Sequence, residues 1–551
     1  VFDRIDEAAV APTPVQQNGL VIASERALAG IAAALVGDTE LTAAERQLCR
    51  AAPHPDADTS DRVRALIAAG GDPLGDAFCA LRSPLERRPS GAVYTPPAII
   101  ASMTAWAASQ GKPARVVDPG AGSGRFLLVA GKNFPEADLI GIESDPLAAL
   151  MLRANLGVRG FADRAQVIVA DYRAAILPST LGHTLFIGNP PYVRHHDLGA
   201  DWKNWFAKSA TRVGIKASKL AGLHIHFFFR TMEMASTGDT GVFITAAEWL
   251  DVNYGSALRQ LLADGLGGIA VHVLDSAAMP FSDTATTGVI TCFRIGRRPT
   301  AFCVRAVPSL SELGSLSTGT AVSWEIAAQA KRWSTLVRPL EQKPAGYIEL
   351  GELFRVSRGQ VTGSNAIWIA GPHSKDLPAS VLLPTVTRAR ELLSAGDALS
   401  DASRLRRVVS LPLDLDELEP RFREAAKRFI RWARQQGAAS GYVAKHRRAW
   451  WSVPLYEPAP IVCTYMARRP PAFVRNLCQA RILNIAHGLY PRQPLDAETT
   501  TGLLRYLRQH VGVAAGRTYA GGLTKFEPRE LERIPVPALE TLRHAAATHL
   551  D

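Results

Sequence analysis

Asn189, Pro190, Pro191 and Tyr192 follow the apolar run Leu185 to Gly188 in the order of a loop leaving the end of a buried strand. Those four residue types suit the activation of an amino group carried on a flat ring. Such a nitrogen is a poor nucleophile, because its lone pair is delocalised into the ring. An Asn side-chain carbonyl and the main-chain carbonyl of the following Pro accept both N–H hydrogens and return the lone pair to nitrogen. The second Pro stiffens the loop and fixes those acceptors. Tyr192 then offers a face on which the ring can stack. Asn-Pro alone is a common turn signal, so the reading depends on what surrounds it.

The elements that must position this loop begin roughly 70 residues upstream, the distance expected within a nucleotide-type α/β unit. Arg115 to Leu128 reads as strand, glycine turn and helix, with Asp118, Pro119, Gly120, Gly122 and Gly124 at the turn and Phe126 opening the helix. Glycines let the backbone come close to a ligand, and the helix that follows presents free N–H groups to it. A glycine turn by itself suits NAD equally well. Two further apolar strands each end in an acid. Glu143, after Leu139 to Ile142, suits a ribose diol; Asp171, after Val167 to Ala170, suits an adenine amino group. Taken singly, each acid reads first as a solvated strand end or a helix cap. Three strand-end sites in order, followed by Asn-Pro-Pro-Tyr, outweigh that reading.

With these motifs in this order, the sequence resembles the gamma-class S-adenosylmethionine-dependent DNA adenine-N6 methyltransferases, the Asn-Pro-Pro-Tyr family of type II restriction–modification methylases. The resemblance spans roughly residues 85–540. It implies an α/β fold, a Rossmann-like methyltransferase domain with a mixed, mainly parallel sheet, followed by a mixed α+β target-recognition domain. It also implies S-adenosyl-L-methionine as cofactor, held by the turn residues, Phe126, Glu143, Asp171 and Asn189. Gly91 to Ile100 resembles the cofactor-closing motif, with Tyr94 and Thr95 as cofactor contacts, Thr95 as a cap and Pro96 at the start of a helix. By the same pattern Phe227 or Phe228 packs on the cofactor adenine, with Phe227 assigned that place; either reads equally well as core. Met279 to Asp283 resembles the motif whose aromatic, here Phe281, sandwiches an extruded base opposite Tyr192. The Asp118 to Gly124 turn is richer in glycine than some family members, which supports the cofactor more than the substrate.

Composition and charge agree with two kinds of work in one chain. The 551 residues suffice for more than one domain, and 47% apolar with 21% charged residues is ordinary for a globular protein. The net charge is +11, and residues 1–300 carry 28 Lys and Arg against 29 Asp and Glu, while residues 301–551 carry 34 against 22. A neutral half for chemistry and a basic half for a polyanion is the simplest reading. The six cysteines show neither metal-type spacing nor a disulfide framework, which suits a cytoplasmic protein. His195-His196 and His224-Ile225-His226 lack Cys or acidic partners at ligand spacing, so no metal is expected. Gly19 to Gly37 is apolar but interrupted by Glu25 and Arg26 and too short to cross a bilayer, so it reads as a packed helix and no membrane is expected.

These boundaries suggest a helical extension at 1–84, a catalytic domain at 85–300, a connector at 301–344 containing Pro308 and Pro339, and a target-recognition domain at 345–551. Within the last, Arg421 to Arg434 reads as a helix with one apolar and one basic face. Cations and aromatics interleave from Gly441 to Trp451 and again near Tyr465. The expected DNA contacts are Arg358, Asn365, Lys445, Arg447, Arg448, Trp450, Arg468 and Arg469, for which loop chemistry and a solvated face are the bland alternatives. The resemblance implies methyl transfer to N6 of an adenine rotated out of double-stranded DNA by a monomer. The implied role is protection of host DNA from a restriction endonuclease that acts on the same site without a stable complex. The competing readings are an RNA adenine or protein-glutamine methyltransferase, a DNA-binding specificity protein with an idle methyltransferase fold, and a restriction–modification fusion.

Overall fold

The computed structural model describes residues 15–17, 20–87, 94–274, 287–297, 300–330, 332–337, 344–467, 469–512, 515–519 and 523–542. The chain divides into two units, residues 1–340 and 341–551.

In the first unit, apolar runs that alternate across a pleat build one large sheet. Its strands are β1 (Arg115–Asp118), β2 (Asp138–Glu143), β3 (Ala165–Val169), β4 (Thr184–Gly188) and β5 (Thr240–Ala246). They continue as β6 (Gly268–Leu274), β7 (Gly288–Arg294), β8 (Ala301–Val307) and β9 (Thr320–Ser323). The spatial order is 9-8-6-7-5-4-1-2-3. Strands β5, β4, β1, β2 and β3 run parallel, whereas β7 is antiparallel to both β5 and β6. This is the mixed, mainly parallel sheet that the resemblance implied. Residues of period two supply a core on each face. Phe186 and Phe243 join Phe228 and Phe293 on one side, and Ile187 and Ile244 join Met103, Trp106 and Leu127 on the other.

Chain order reverses between β1 and β4. In open α/β sheets such a reversal splays the connections apart and leaves a crevice beyond the carboxyl ends of the strands, where ligands bind. Asp118 is the last residue of β1 and Asn189 the first after β4, so the two flank that crevice.

Helices α1 (Glu25–Leu35), α2 (Ala43–Ala51), α3 (Ala57–Ala68) and α4 (Pro73–Leu81) form the N-terminal segment. Four more bear on the site: α5 (Pro97–Ser109), α6 (Arg125–Asn133), α7 (Pro146–Val158) and, after α8 (Ala200–Arg212), α9 (Leu223–Met234). The apolar stripe of α1, with Leu28, Ile31 and Leu35, meets Leu147, Leu150, Met151 and Ala154 of α7, and Val63, Ile67, Leu74 and Phe78 complete that core. The N-terminal helices thus share their interior with the sheet unit. Arg153 of α7 donates to Glu45 at 2.7 Å in a buried ion pair that ties α2 to the same helix. Among the described residues no helix is long and apolar enough to cross a membrane.

The segment from residue 301, expected as a connector, instead begins with two strands of the sheet. β8 pairs in parallel with β6, and β9 pairs antiparallel with β8. Phe302 and Val304 face the core while Cys303 and Arg305 alternate with them, half exposed. Half-exposure at a sheet edge produces the mixed composition that reads as a linker.

The second unit is mixed α+β, also as implied. Its main sheet has strands β10 (Phe354–Arg358), β11 (Ala398–Leu399), β12 (Ile461–Thr464), β13 (Phe473–Asn476) and β14 (Ala486–Pro491), in the order 10-14-12-13-11. The basic helix α10 (Pro420–Gln435) buries Ala425, Ala426, Phe429 and Ala433, and α11 (Ala497–His510) covers the main sheet with Leu503, Leu504 and Leu507. Pro535–Pro537 pairs antiparallel with Tyr347–Glu349, so the two ends of the unit close on each other.

Candidate active site

Strand β1 carries Asp118 into a fully buried position, and burial pushes its carboxyl up to about 8 although the Gly120 N–H donates to Oδ1 at 3.3 Å; the nearby Glu143 charge adds to the rise. Oδ2 is buried with no hydrogen-bond partner among the described residues. A buried orphan acceptor is costly unless a donor arrives, so this atom marks where a cationic or N–H-bearing ligand gains most. Gly188 at the end of β4 makes room for it: a Cβ there would stand 2.5 Å from Asp118 Oδ1. Gly124 caps α6 with φ 98°, a left-handed conformation, and a Cβ on it would meet Leu152 at 2.4 Å.

The Asn-Pro-Pro-Tyr loop comes to the same place. A Cβ placed on Gly120 would lie 3.7 Å from Pro191 Cδ and 3.8 Å from both the Asn189 main-chain oxygen and Phe227 Cε1. The missing side chain therefore leaves a cradle bounded by the glycine turn, the loop and an aromatic. Asn189 Nδ2 donates to Thr95 Oγ1 at 3.0 Å, which holds the amide with its nitrogen toward α5 and its carbonyl directed away from it. That contact corrects one expectation. The cap of α5 is Pro96 with Pro97 as first helical residue, and no side chain caps it. Thr95 stands one residue before the cap, and its hydroxyl accepts from the Asn189 amide instead.

Phe227 and Phe228 part company one residue apart, as neighbours on a helix must. Phe228 packs in the core against Phe243 and Phe293 at 5.2 and 5.9 Å, whereas Phe227 lies 4.9 Å from Tyr172 and faces the Gly120 cradle. Tyr192 is half buried, with the His224 ring edge-on at 6.5 Å. Burial pulls His224 down to about 4 and His226 down to about 3, so both imidazoles are neutral at physiological pH.

The other two acids are held differently. Glu143 accepts the Asp145 N–H at 2.8 Å and the Gly122 N–H at 2.9 Å, yet burial still raises its carboxyl above the usual range. Asp171 accepts from Arg173 at both oxygens, at 2.9 and 2.6 Å, and the Arg173 guanidinium lies 3.9 Å from the Trp202 ring. Burial works against ionisation there, but Arg173 outweighs it and keeps Asp171 below the ordinary carboxylate range. Each oxygen retains lone-pair capacity for an amino group. The Tyr94 ring sits 3.8 Å from where a Gly122 side chain would start, and Arg125 stacks on it at 4.8 Å.

Asp118, Gly120, Gly122, Glu143, Asn189, Pro191, Tyr94, Thr95 and Phe227 thus converge around the glycine turn. Pro119 follows Asp118 directly, with its Cδ 3.2 Å from where a Gly188 side chain would start, and Pro190 is buried in the loop. Phe126 belongs to the core beneath the turn. Phe281 lies outside the described residues. Sequence reasoning missed Asp72, Ser123, Arg125, Asn155 and Arg173, all bonded to the turn or to the acids. Of these, only Asp72-Pro73 carries a local signal that could have been read, the cap and first-turn pattern of a helix start, and it points to the helix rather than to the turn.

The basic candidates of the second unit fall into two groups. Lys445, Arg448, Arg469 and Asn365 are exposed, and Asn365 also accepts the Thr362 hydroxyl at 2.7 Å. Arg358 is exposed and lies 4.4 Å from the Tyr465 ring. Arg447, in contrast, is half buried and donates to the Val361 and Thr362 carbonyls at 3.0 and 2.8 Å. Its guanidinium buckles two loops together, a structural tie that the sequence reading did not include. Trp450 packs into the apolar core beside α10, with Arg434 5.5 Å from its ring. Arg468 lies outside the described residues.

Comparison with known proteins places this geometry. Residues 324–551 match the family of the C-terminal domain of type II methyltransferase M.Eco57I, and residues 172–266 match the Eco57I restriction-modification methylase family. Over 524 residues the chain is 54% identical to type II methyltransferase M.XamI of Xanthomonas campestris pv. amaranthicola, spanning 94% of this chain and 99% of that one. It is 21% identical over 468 residues to type II methyltransferase M.AccI of Acinetobacter calcoaceticus, spanning 81% and 85%. Among solved structures, the Type IIL restriction-modification enzyme MmeI in complex with DNA superposes with a TM-score of 0.51 at 13% identity, over 87% of this chain and 75% of its own, a likeness of fold.

Proposed function

The chain belongs to the type II DNA methyltransferases of restriction–modification systems, and from that premise we propose that it methylates N6 of an adenine in double-stranded DNA with S-adenosyl-L-methionine as donor. The observation that carries this reading is the placement of Asp118 and Asn189 on either side of the sheet's switch point, with Gly120, Pro191 and Phe227 around the space between. The first unit does the chemistry. The second, with its exposed Arg358, Asn365, Lys445, Arg448 and Arg469, holds the duplex.

The residues present fit the donor. The orphan Asp118 Oδ2 awaits a cation, Glu143 ends β2 where a diol is bound in such folds, and Tyr94 and Phe227 supply aromatic faces. When bound, the sulfonium supplies an electrophilic methyl group. The target base is rotated out of the stack at a cost of a few kcal/mol, which stacking on Tyr192 and Phe281 offsets. Asn189 Oδ1 and the Pro190 carbonyl accept the two N6 hydrogens, which localises the nitrogen lone pair for in-line attack. Because Thr95 already holds the Asn189 amide, that acceptor needs no reorientation when the base arrives. The surplus proton leaves to water, since His224 and His226 are neutral but buried against aromatic rings.

On this reading the chain acts in the cytoplasm as a monomer and shields host DNA from an endonuclease of the same site specificity. Incubating the purified protein with S-adenosyl-L-methionine and genomic DNA, then digesting to nucleosides for mass spectrometry, should yield N6-methyladenine. Methylated cytosine alone, or unmodified DNA, would refute the base assignment.

A further inference from the structure

Helix α4 has a side chain at each end that the catalytic reading leaves without a purpose. Asp72 is its N-cap and Arg82 its C-cap. Capping requires only that Asp72 accept the Gly75 N–H, which it does at 3.0 Å. Its other contacts reach far along the chain. Oδ2 accepts from Ser123 Oγ and Arg125 Nε, each at 2.6 Å, and Oδ1 accepts from Asn155 Nδ2 at 3.1 Å. Asn155 Nδ2 also donates to the Ser123 carbonyl at 2.8 Å, and Arg125 reaches Asp76 at 2.5 Å. Asp72 therefore grips the glycine turn where it passes into α6. At the opposite end, Arg82 donates to Glu25 at 2.7 and 2.9 Å and to the Asp145 carboxylate. Asp145 is the residue whose N–H holds Glu143 at 2.8 Å.

We propose that α4 is a brace that fixes the two walls of the methyl-donor site, with Asp72 and Arg82 as positioning residues for the glycine turn and for Glu143. The inference rests on the reading that this site takes S-adenosyl-L-methionine. Its physical basis is that Gly120, Gly122 and Gly124 give the turn no side chains there, so much of its geometry must come from outside, and Ser123 is the polar side chain through which Asp72 takes hold of it. The brace is about 14 Å long, nine residues at 1.5 Å each. Both ends are anchored on the core that the N-terminal helices share with α7, which gives that segment a task in the reaction.

Asp72→Asn in the full-length chain tests this, because Asn caps helices as well as Asp does while losing the charge that faces Arg125. Titration calorimetry with S-adenosylhomocysteine should show Kd rising about tenfold or more, as loss of a charge-assisted hydrogen bond predicts. KM for S-adenosyl-L-methionine should rise in parallel, with kcat and duplex affinity nearly unchanged. Arg82→Gln should raise the same Kd by a smaller factor. If Asp72→Asn fails to fold, Ser123→Ala removes one of the same hydrogen bonds and should still raise Kd several-fold. A fall in kcat with Kd and KM unchanged is what a purely structural role would produce, and it would overturn the brace. Equal Kd values in wild type and variant would overturn it too, leaving the donor reading intact. Failure of the wild-type chain to bind S-adenosylhomocysteine would instead sink the donor reading beneath it.

Discussion

The candidate residues Asp118, Glu143 and Asn189 of the first unit stand at or just past the ends of buried strands, whereas the cations Lys445, Arg448 and Arg469 of the second unit are exposed, at the end of a one-turn helix or on bends. At a strand end the backbone is fixed by two neighbouring strands and the side chain has few places to go. Asp118 and Asn189 meet across the switch point because β1 and β4 are hydrogen-bonded to each other. On a turn, a cation is free to choose between solvent, a ligand and a carbonyl of its own chain. Arg447 and Arg448 are adjacent in sequence, yet one is committed to Val361 and Thr362 and the other is exposed.

The largest test of that contrast is Asn189→Ala. Loss of a preorganised acceptor should lower kcat by about 10²–10³-fold, with duplex affinity unchanged. A comparable fall in DNA affinity would erase the division between the two regions. Gly188→Ala comes next, since its Cβ would stand 2.5 Å from Asp118 Oδ1. Overpacking of this kind costs about 1–3 kcal/mol of stability, and donor affinity measured by calorimetry should fall with it.

Asp118 also sharpens the comparison through pH. Its carboxyl titrates near 8 in the fold against 3.8 ordinarily, so between those values the unfolded chain has released a proton that the folded one retains. The contribution of this group to stability therefore falls as pH rises from about 4 to about 8 and is flat above. A cationic donor favours the ionised form. Its affinity should rise by up to about tenfold per pH unit toward pH 8 and then level off. Calorimetry in buffers of different ionisation enthalpy should detect the released proton. No comparable pH dependence is expected of duplex binding.

The smallest effects should separate the two kinds of cation. Replacing Lys445 and Arg448 together by Ala should reduce the slope of log Kd against log salt by about two and leave the melting temperature unchanged. Arg447→Ala should do the reverse, costing about 1–3 kcal/mol of stability through two orphaned carbonyls with little change in the slope. Identical behaviour of the two variants would mean that Arg447 and the exposed cations do the same work.

Much of the catalytic unit was legible because its signals are local. Apolar runs ending in Asp118, Glu143 and Gly188 identify strands and strand ends without reference to anything distant, and Gly120 to Gly124 identify the turn between strand and helix. The helix over 421–434 was legible for the same reason and extends only from Pro420 to Gln435. What was not legible concerns partners far apart in the chain. Thr95 as partner of Asn189, and Asp72 as partner of Ser123, are separations of 94 and 51 residues that no periodicity reports. The strands β8 and β9 were hidden by their half-exposed edge position. Phe227 and Phe228 have the same composition and neighbourhood, and only the rotation of α9 tells which one faces the site.

The sequence by itself determined the strand–turn–helix order around the glycines, the order of the strand-end sites and the chemistry that the Asn189 loop suits, because hydrophobic period, glycine and proline act on the backbone within a few residues; the class of fold followed from the resemblance that those motifs carry. The tertiary structure decided which side chains are held and by whom: that Thr95 orients an amide, that Arg447 fastens loops, that α4 reaches the turn at one end and the acid at the other. Those choices depend on which surfaces come together when distant segments pack, and a side chain's donors and acceptors are assigned only after that packing has excluded water from around them.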